Sequence, residues 1–447
     1  MLRIHAKNGY DLRVSGAPTD QIVAAKAPRR VAVVPERIPF IKPRLVVRSG
    51  DTVRIGSPLF FDKRHPALHY RSPGAGTISD IRFGPRRVIS QIIIDLDDSE
   101  AAEPLLQARL DPTATLNRQA VTTALVNGGL WPLIRALPYR DMAPVDGPQP
   151  PALIVSLSDR EPFHPHPDIY LDGAADLFTQ GLAFLKPLAS KLMVTVDEGA
   201  AKTIAMLGGA VTHCHRGVYP AGDPGVTLYH TRRSSADNPS WFIRGQDVLL
   251  VASLLSTGVY PTDRLVAVGG PAAPHAVHVK TRLGAPLSTL VDLPKDAAIR
   301  TISGGLFTGA RASVDDYLGF FETAITVLGE GAAEEFLALI MPGRRRPSYS
   351  RVFLSTLTGG DMNVDCNMHG DLRACVACSY CNRVCPVEML PQLAFKSLLA
   401  EEIEEALAHG LLDCVECGLC SYVCPSKIDI SGILTQGKRN YYKEQQQ

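Results

Sequence analysis

Eight of the chain's ten cysteines fall into two runs. "CVACSYCNRVCP" (375–386) holds Cys375, Cys378, Cys381 and Cys385, and "CVECGLCSYVCP" (414–425) holds Cys414, Cys417, Cys420 and Cys424. Each reads Cys-x2-Cys-x2-Cys-x3-Cys-Pro, and the two agree at seven of twelve positions. This spacing ligates cubane [4Fe–4S] clusters: three thiolates converge from one tight loop, and the fourth comes from a distance. In two-cluster ferredoxins the fourth cysteine of each run serves the other cluster. The expected sets are therefore Cys375, Cys378, Cys381 with Cys424, and Cys414, Cys417, Cys420 with Cys385. Zinc sites use two CxxC pairs per ion and would leave the third cysteine of each run without a task. A disulfide framework needs an oxidising compartment, and "MLRIHAKNGYDLRVSG" at the N-terminus has no apolar stretch of the kind an export signal carries. The chemistry expected is one-electron relay through two [4Fe–4S] clusters.

Other residues able to do chemistry carry weaker signals. Cys366, nine residues before Cys375, reads as a bystander. Cys214 sits in "THCHRG" between His213 and His215, but neighbours on a strand point to opposite faces, which argues against a shared metal. "NGGLW" (127–131) is not the GxGxxG of a dinucleotide site and follows no clear strand. The "RRR" run at 344–346 reads as a solvated loop rather than a membrane contact. "YPAGDPG" (219–225) and "NPSWFIRGQD" (238–247) are the stretches to probe for a quinone headgroup, although a buried aromatic is more often core.

The elements that must position the cysteines form four expected units in the 447 residues. Residues 1–105 show short alternating strands punctuated by Gly and Pro. Residues 106–258 alternate helical and strand patterns, which implies a Rossmann-like α/β domain: "RQAVTTALVNGGLWPLIRAL" (118–137) has helical spacing and "PALIVSLSD" (151–159) reads as a buried strand. Residues 259–340 suit a small β-grasp-like domain, with "SVDDYLGFFETAITVLGEG" (313–331) as a connector. Residues 341–447 read as a helical ferredoxin-like module, one helix lying in the 28 residues between Cys385 and Cys414. The formal net charge of +1 gives no electrostatic reason to expect nucleic acid. The longest apolar run, "VLLVASLL" (248–255), is too short to cross a bilayer, so the expectation is a soluble or peripheral protein.

Longer stretches carry family resemblances. The "GDxVxxGxxLF" and "PxxGxI" halves within 44–96 resemble the barrel-sandwich fold of biotinyl and lipoyl carriers. Lys63 in "FFDKRHPALHY" lacks the usual attachment setting, so a structural domain is expected and no modified lysine. "KNGYDLRVSGAP", "HYRSPGAGTISDI", "NGGLWPLIRALPYRDMAPVD", "YPAGDPG" and "RTISGGLFTGARA" resemble the NqrA family, which belongs to the Na+-translocating NADH:quinone reductase. The domain order is also similar to the RnfC family of the Rnf complex, whose relatives carry a Gly-rich flavin loop; Trp131, Pro132 and Arg135 stand there instead. That departure implies no flavin and no direct NADH site on this chain. The first family implies a terminal module that has lost most of its cysteines, whereas both full sets stand here, as in the second. The resemblances together imply a peripheral electron-transfer subunit on the cytoplasmic face of the inner membrane, with membrane and flavin-bearing partner subunits and a quinone as acceptor. The alternatives are a ferredoxin:NAD oxidoreductase component of the Rnf type, or a docking scaffold.

Overall fold

The structure is a computed structural model that describes residues 1–158, 161–292, 298–331, 343–344, 347–350 and 353–446. The remainder of the "RRR" run, Arg345 and Arg346, lies outside the described residues.

Two small sheets make the N-terminal barrel sandwich. Arg30–Val33, Ile89–Leu96, Gly76–Phe83 and Thr52–Val53 form one antiparallel sheet, and Pro43–Leu45, Pro58–Asp62 and His65–Arg71 form the other. Alternation along these strands sends Leu59, Phe60, Leu68, Ile78, Ile92 and Ile94 into a shared core. Phe60 stacks on Tyr70 with ring centroids 4.6 Å apart.

Five parallel strands form the centre of the α/β domain, in the order Leu2–His5, His213–Arg216, Leu192–Asp197, Leu153–Ser156 and Trp241–Arg244. Arg135–Ala136 and Asp141–Met142 extend the sheet antiparallel. The chain moves outward from Leu153–Ser156 in one direction and then returns to place Trp241–Arg244 on its other side. The strand order thus reverses between these two strands. Leu153 and Val155 face one core with Ile243, while Ile154 faces the opposite one with Phe242 and Leu228.

Several expectations change here. The helix expected over 118–137 ends at Asn127. Gly129 then takes φ +73°, and a Cβ there would meet the His69 carbonyl at 2.6 Å, so this glycine lets the barrel sandwich approach. Residues expected within the first unit also serve the others, since Leu2–His5 edges the α/β sheet and Ile22–Ala24 pairs with Val277–Arg282 in the third.

That third unit is a six-stranded sheet ordered Ala310–Ala312, Ile299–Ser303, Ala324–Gly329, Asp263–Gly269, Val277–Arg282 and Ile22–Ala24. The segment expected as a connector contains its central strand, Ala324–Gly329, whose first five residues are buried. A continuous apolar run of this kind is what a strand covered on both faces requires.

The C-terminal module is built from the helices Tyr380–Val384, Pro391–Leu399, Ile403–Ala408, Leu419–Tyr422 and Ile430–Gln445. Two helices, not one, lie between Cys385 and Cys414. The break falls at Ala400–Glu402, where Glu401 adopts φ 62°.

Arg264 and Asp247 join the α/β domain to the third unit. The guanidinium, fully buried, lies 2.6 Å from an Asp247 carboxylate oxygen and also donates to the Phe320 carbonyl at 2.9 Å. Asp247→Ala would leave that cation buried without its counter-ion. The expected loss is about 3–5 kcal/mol, read as an earlier denaturant unfolding transition, with Asp247→Asn less affected.

Candidate iron–sulfur site

The two cysteine loops share one backbone path. Left-handed residues recur 39 positions apart, at Ala377 and Glu416, Ser379 and Gly418, and Glu388 and Lys427. These turns curl each loop so that amides point inward. The sulfur of Cys385 accepts from the backbone N–H groups of Val387 and Met389, that of Cys414 from Glu416, and that of Cys417 from Leu419. One short helix in each run, Tyr380–Val384 or Leu419–Tyr422, carries the third cysteine inward.

The fourth cysteine of the first run lies with the second run. Cys385 lines one cavity together with Cys414, Cys417 and Cys420, and Val387, Met389, Leu419 and Leu434 close its apolar wall. Cys381 feels the charge of Cys378 in its own run and of Cys424 in the other. Cys417 and Cys420 both sense Cys414 and Cys385. Among the described residues, no three His, Cys, Asp or Glu side chains converge as a site for a single ion.

Burial favours the protonated form of these thiols. It pushes Cys381 up to about 11 and Cys385 up to about 12, and raises Cys414, Cys417 and Cys420 as well. Iron bound to such a thiol would remove its proton outright. The residues fit the group that their spacing implies: soft sulfur donors, inward amides and an apolar wall.

The Cys414 loop is buried against the rest of the chain. Tyr219 donates its hydroxyl to the Cys417 carbonyl at 2.9 Å, and Asn8 donates its side-chain amide to the Cys385 carbonyl at 3.2 Å. Arg232 forks onto Asp413, with Nη2 at 2.8 Å, and Val415 packs onto Gly225. Gly418 adopts φ +79° beneath Phe307, whose Cβ would be 2.9 Å from any side chain added there. Glu161, buried, holds the Phe307–Thr308 turn by accepting from both amides and from the Thr308 hydroxyl. Lys438 is a site residue that the sequence pattern does not single out. It is 2% exposed, its ammonium 2.7 Å from the Cys414 carbonyl and 2.8 Å from a Glu416 carboxylate oxygen. Its only sequence signal is a lysine amid the apolar spacing of the last helix.

The remaining candidates lie elsewhere. "YPAGDPG" carries Tyr219 and Gly225 and so faces the module, while Trp241, Phe242 and Ile243 of "NPSWFIRGQD" are core strand. His213 and His215 are buried beside the hydroxyls of Thr212 and Thr227. Cys214 points into the opposite core. Cys366 is half-buried, its thiol pushed up by burial, and its N–H donates to the Gly329 carbonyl at 3.0 Å. Lys63 is exposed at the turn between Pro58–Asp62 and His65–Arg71. Trp131, Leu133 and Ile134 are buried, and the Trp131 indole N–H donates to the Ala143 carbonyl at 2.8 Å. Arg135 lies with its guanidinium 5.0 Å from the rings of Phe242 and Phe321.

Four family models match along the chain. They are described as the NqrA N-terminal barrel-sandwich hybrid domain (4–97), the NqrA second alpha/beta domain (116–260), the NQRA C-terminal domain (265–314) and a 4Fe-4S dicluster domain (374–428). Curated relatives bearing the name of the NqrA component of the Na(+)-translocating NADH-quinone reductase include those of Saccharophagus degradans and Pseudomonas aeruginosa, each 33% identical, and of Vibrio atlanticus, 30% identical. Each alignment covers 92% of this chain and 92% of the relative.

Crossing of the fourth cysteines makes a specific expectation. Cys424→Ser should damage the cluster built on Cys375, Cys378 and Cys381 and spare the one built on its sequence neighbours. EPR of the anaerobically prepared variant checks this, and damage confined to the Cys414 set would reject the crossing. The unaltered chain should hold about eight iron and eight acid-labile sulfides.

Proposed function

The chain belongs to the NqrA family of the Na(+)-translocating NADH-quinone reductase, and from that premise we propose that it is the electron-relaying peripheral subunit of a redox-driven ion-translocating complex. Two [4Fe–4S] clusters, when bound, would supply one-electron carriers. Cys375, Cys378, Cys381 and Cys424 would hold one, and Cys414, Cys417, Cys420 and Cys385 the other. The observation that carries this reading is the cavity in which Cys385 joins three cysteines of the other run. A pair of thiolate sets interleaved in this way brings the carriers close to each other.

The chain's own groups assign the two ends. Val376 and Leu372 are 67% and 68% exposed, so the Cys375–Cys378 loop is the edge open to a partner. The Cys414 loop is enclosed by the α/β domain through Tyr219 and Arg232. Among the described residues no helix is long and apolar enough to cross a membrane. In this reading the chain attaches from the cytoplasmic face to membrane and flavin-bearing subunits, with quinone as the acceptor of the whole complex. The α/β domain carries no flavin in this reading, because Trp131, Leu133 and Ile134 fill the place where a glycine-rich loop would admit one.

A second reading, a component of the Rnf type, is favoured by the presence of both full cysteine sets. The two separate on how the clusters are reduced. Hydride from NADH enters one-electron carriers through a two-electron intermediary such as flavin. The purified chain should therefore bleach with dithionite but not with NADH, and should bind no stoichiometric FMN. Adding flavin-bearing partner subunits should restore NADH-dependent bleaching. FMN on the isolated chain, or catalytic bleaching by NADH, would replace the first reading by the second. Clusters that stay oxidised through turnover of the assembled complex would instead favour a docking scaffold.

A further inference from the structure

The internal repeat runs beyond the cysteines. Residues 375–399 align with 414–438 without a gap, and their left-handed positions coincide. Among the aligned positions that differ, two place charge beside the Cys414 carbonyl. The first run has Ala377 and Leu399, with Leu399 65% exposed. The second has Glu416 and Lys438, with Lys438 2% exposed. The Lys438 ammonium is 2.7 Å from the carbonyl of Cys414 and 2.8 Å from Glu416. Burying an ammonium is costly even when it is paired, and a leucine like that of the first run would carry no such cost.

We propose that Lys438 raises the reduction potential of the cluster held by Cys414, Cys417, Cys420 and Cys385; this rests on the two-cluster reading above. Reduction brings in one electron, from the neighbouring set in turnover or from dithionite in a titration. No bond breaks, and the site becomes one unit more negative. A fixed cation hydrogen-bonded to the backbone of a ligand residue favours that state, and the dry surroundings strengthen the effect. Glu416 opposes it while holding the ammonium in place. The first run has neither group; the charge near its set is Lys427 beside Cys424, while Arg140 adds to Lys438 near Cys414. Lys438 is a positioning and tuning residue and does not itself carry the electron.

An EPR-monitored redox titration of the anaerobically reconstituted full chain tests this. At the midpoint potential of the unaltered Cys414 cluster, Lys438→Met should lower its reduced-to-oxidised ratio about tenfold, about 59 mV for one electron. The other cluster should not move. Lys438→Arg should restore most of the ratio, and Glu416→Gln should shift it upward. An unchanged ratio in Lys438→Met with both clusters loaded would overturn the proposal. Should that variant take up no iron, Glu416→Gln decides, and its failure to raise the ratio would equally overturn it. Absence of two clusters from the unaltered chain, by iron and sulfide analysis, would refute the underlying reading before any variant is compared.

Discussion

The two cysteine runs meet at one cavity, and the C-terminal module is organised around that meeting. Three cysteines at two-residue intervals curl along one side of each run, and Cys385 of the first run lines the cavity of the second. The apolar wall of that cavity is shared too, with Val387 and Met389 following the first run, Leu419 within the second and Leu434 beyond it. The curl demands left-handed backbone at Ala377 and Ser379 and again at Glu416 and Gly418, a conformation that side-chain-bearing residues adopt only when their surroundings impose it. Burial pushes the Cys385 thiol up to about 12, so a metal held there would have to displace its proton.

The same loops leave carbonyls that cannot reach water, and each must find a donor. Asn8 serves Cys385, Tyr219 serves Cys417 and Lys438 serves Cys414. Asn8 and Tyr219 come from one place in the fold. Leu2–His5 and His213–Arg216 are adjacent parallel strands, and the segments leaving their carboxyl ends run on together, with the Tyr10 amide donating to the Tyr219 carbonyl at 3.0 Å. The carboxyl edge of an open α/β sheet is where such folds ordinarily receive a ligand. In this chain the edge receives its own cysteine loop.

This explains what could be read from the sequence and what could not. The cysteine runs and the buried strand Leu153–Ser156 announce themselves through spacing and apolar period, which are local. The use of Leu2–His5 and Ile22–Ala24 as edge strands in two other sheets is a long-range pairing, with Leu2 opposite His213, and no local pattern encodes it. Ala324–Gly329 is hidden by the Gly-rich and polar residues around it. Lys438 looks like a solvated helix position because its partners, a carbonyl and a carboxylate over twenty residues away, exist only after the loop has folded.

The surface that holds the module is built from the stretches that carry the family resemblance. "KNGYDLRVSGAP" supplies Asn8 and Tyr10, "YPAGDPG" supplies Tyr219 and Gly225, and "RTISGGLFTGARA" supplies Phe307. Their rings continue into the module as an unbroken series of contacts. Tyr380 meets Tyr349 at 5.2 Å, Tyr349 meets Tyr10 at 5.4 Å and Tyr10 meets Tyr422 at 5.7 Å. Tyr422 then meets Phe307 at 5.3 Å, and Phe307 meets Tyr219 at 5.8 Å. The series starts one residue before Cys381 and ends on the residue bonded to Cys417, so it ties both cysteine runs to the α/β domain and the third unit together. Aromatic pairs of this kind add about 0.5–1.5 kcal/mol each beyond the area they bury. A module appended to a finished body would need only a linker. Here segments of the body end on the carbonyls and rings of the cysteine loops, and the two parts specify one another.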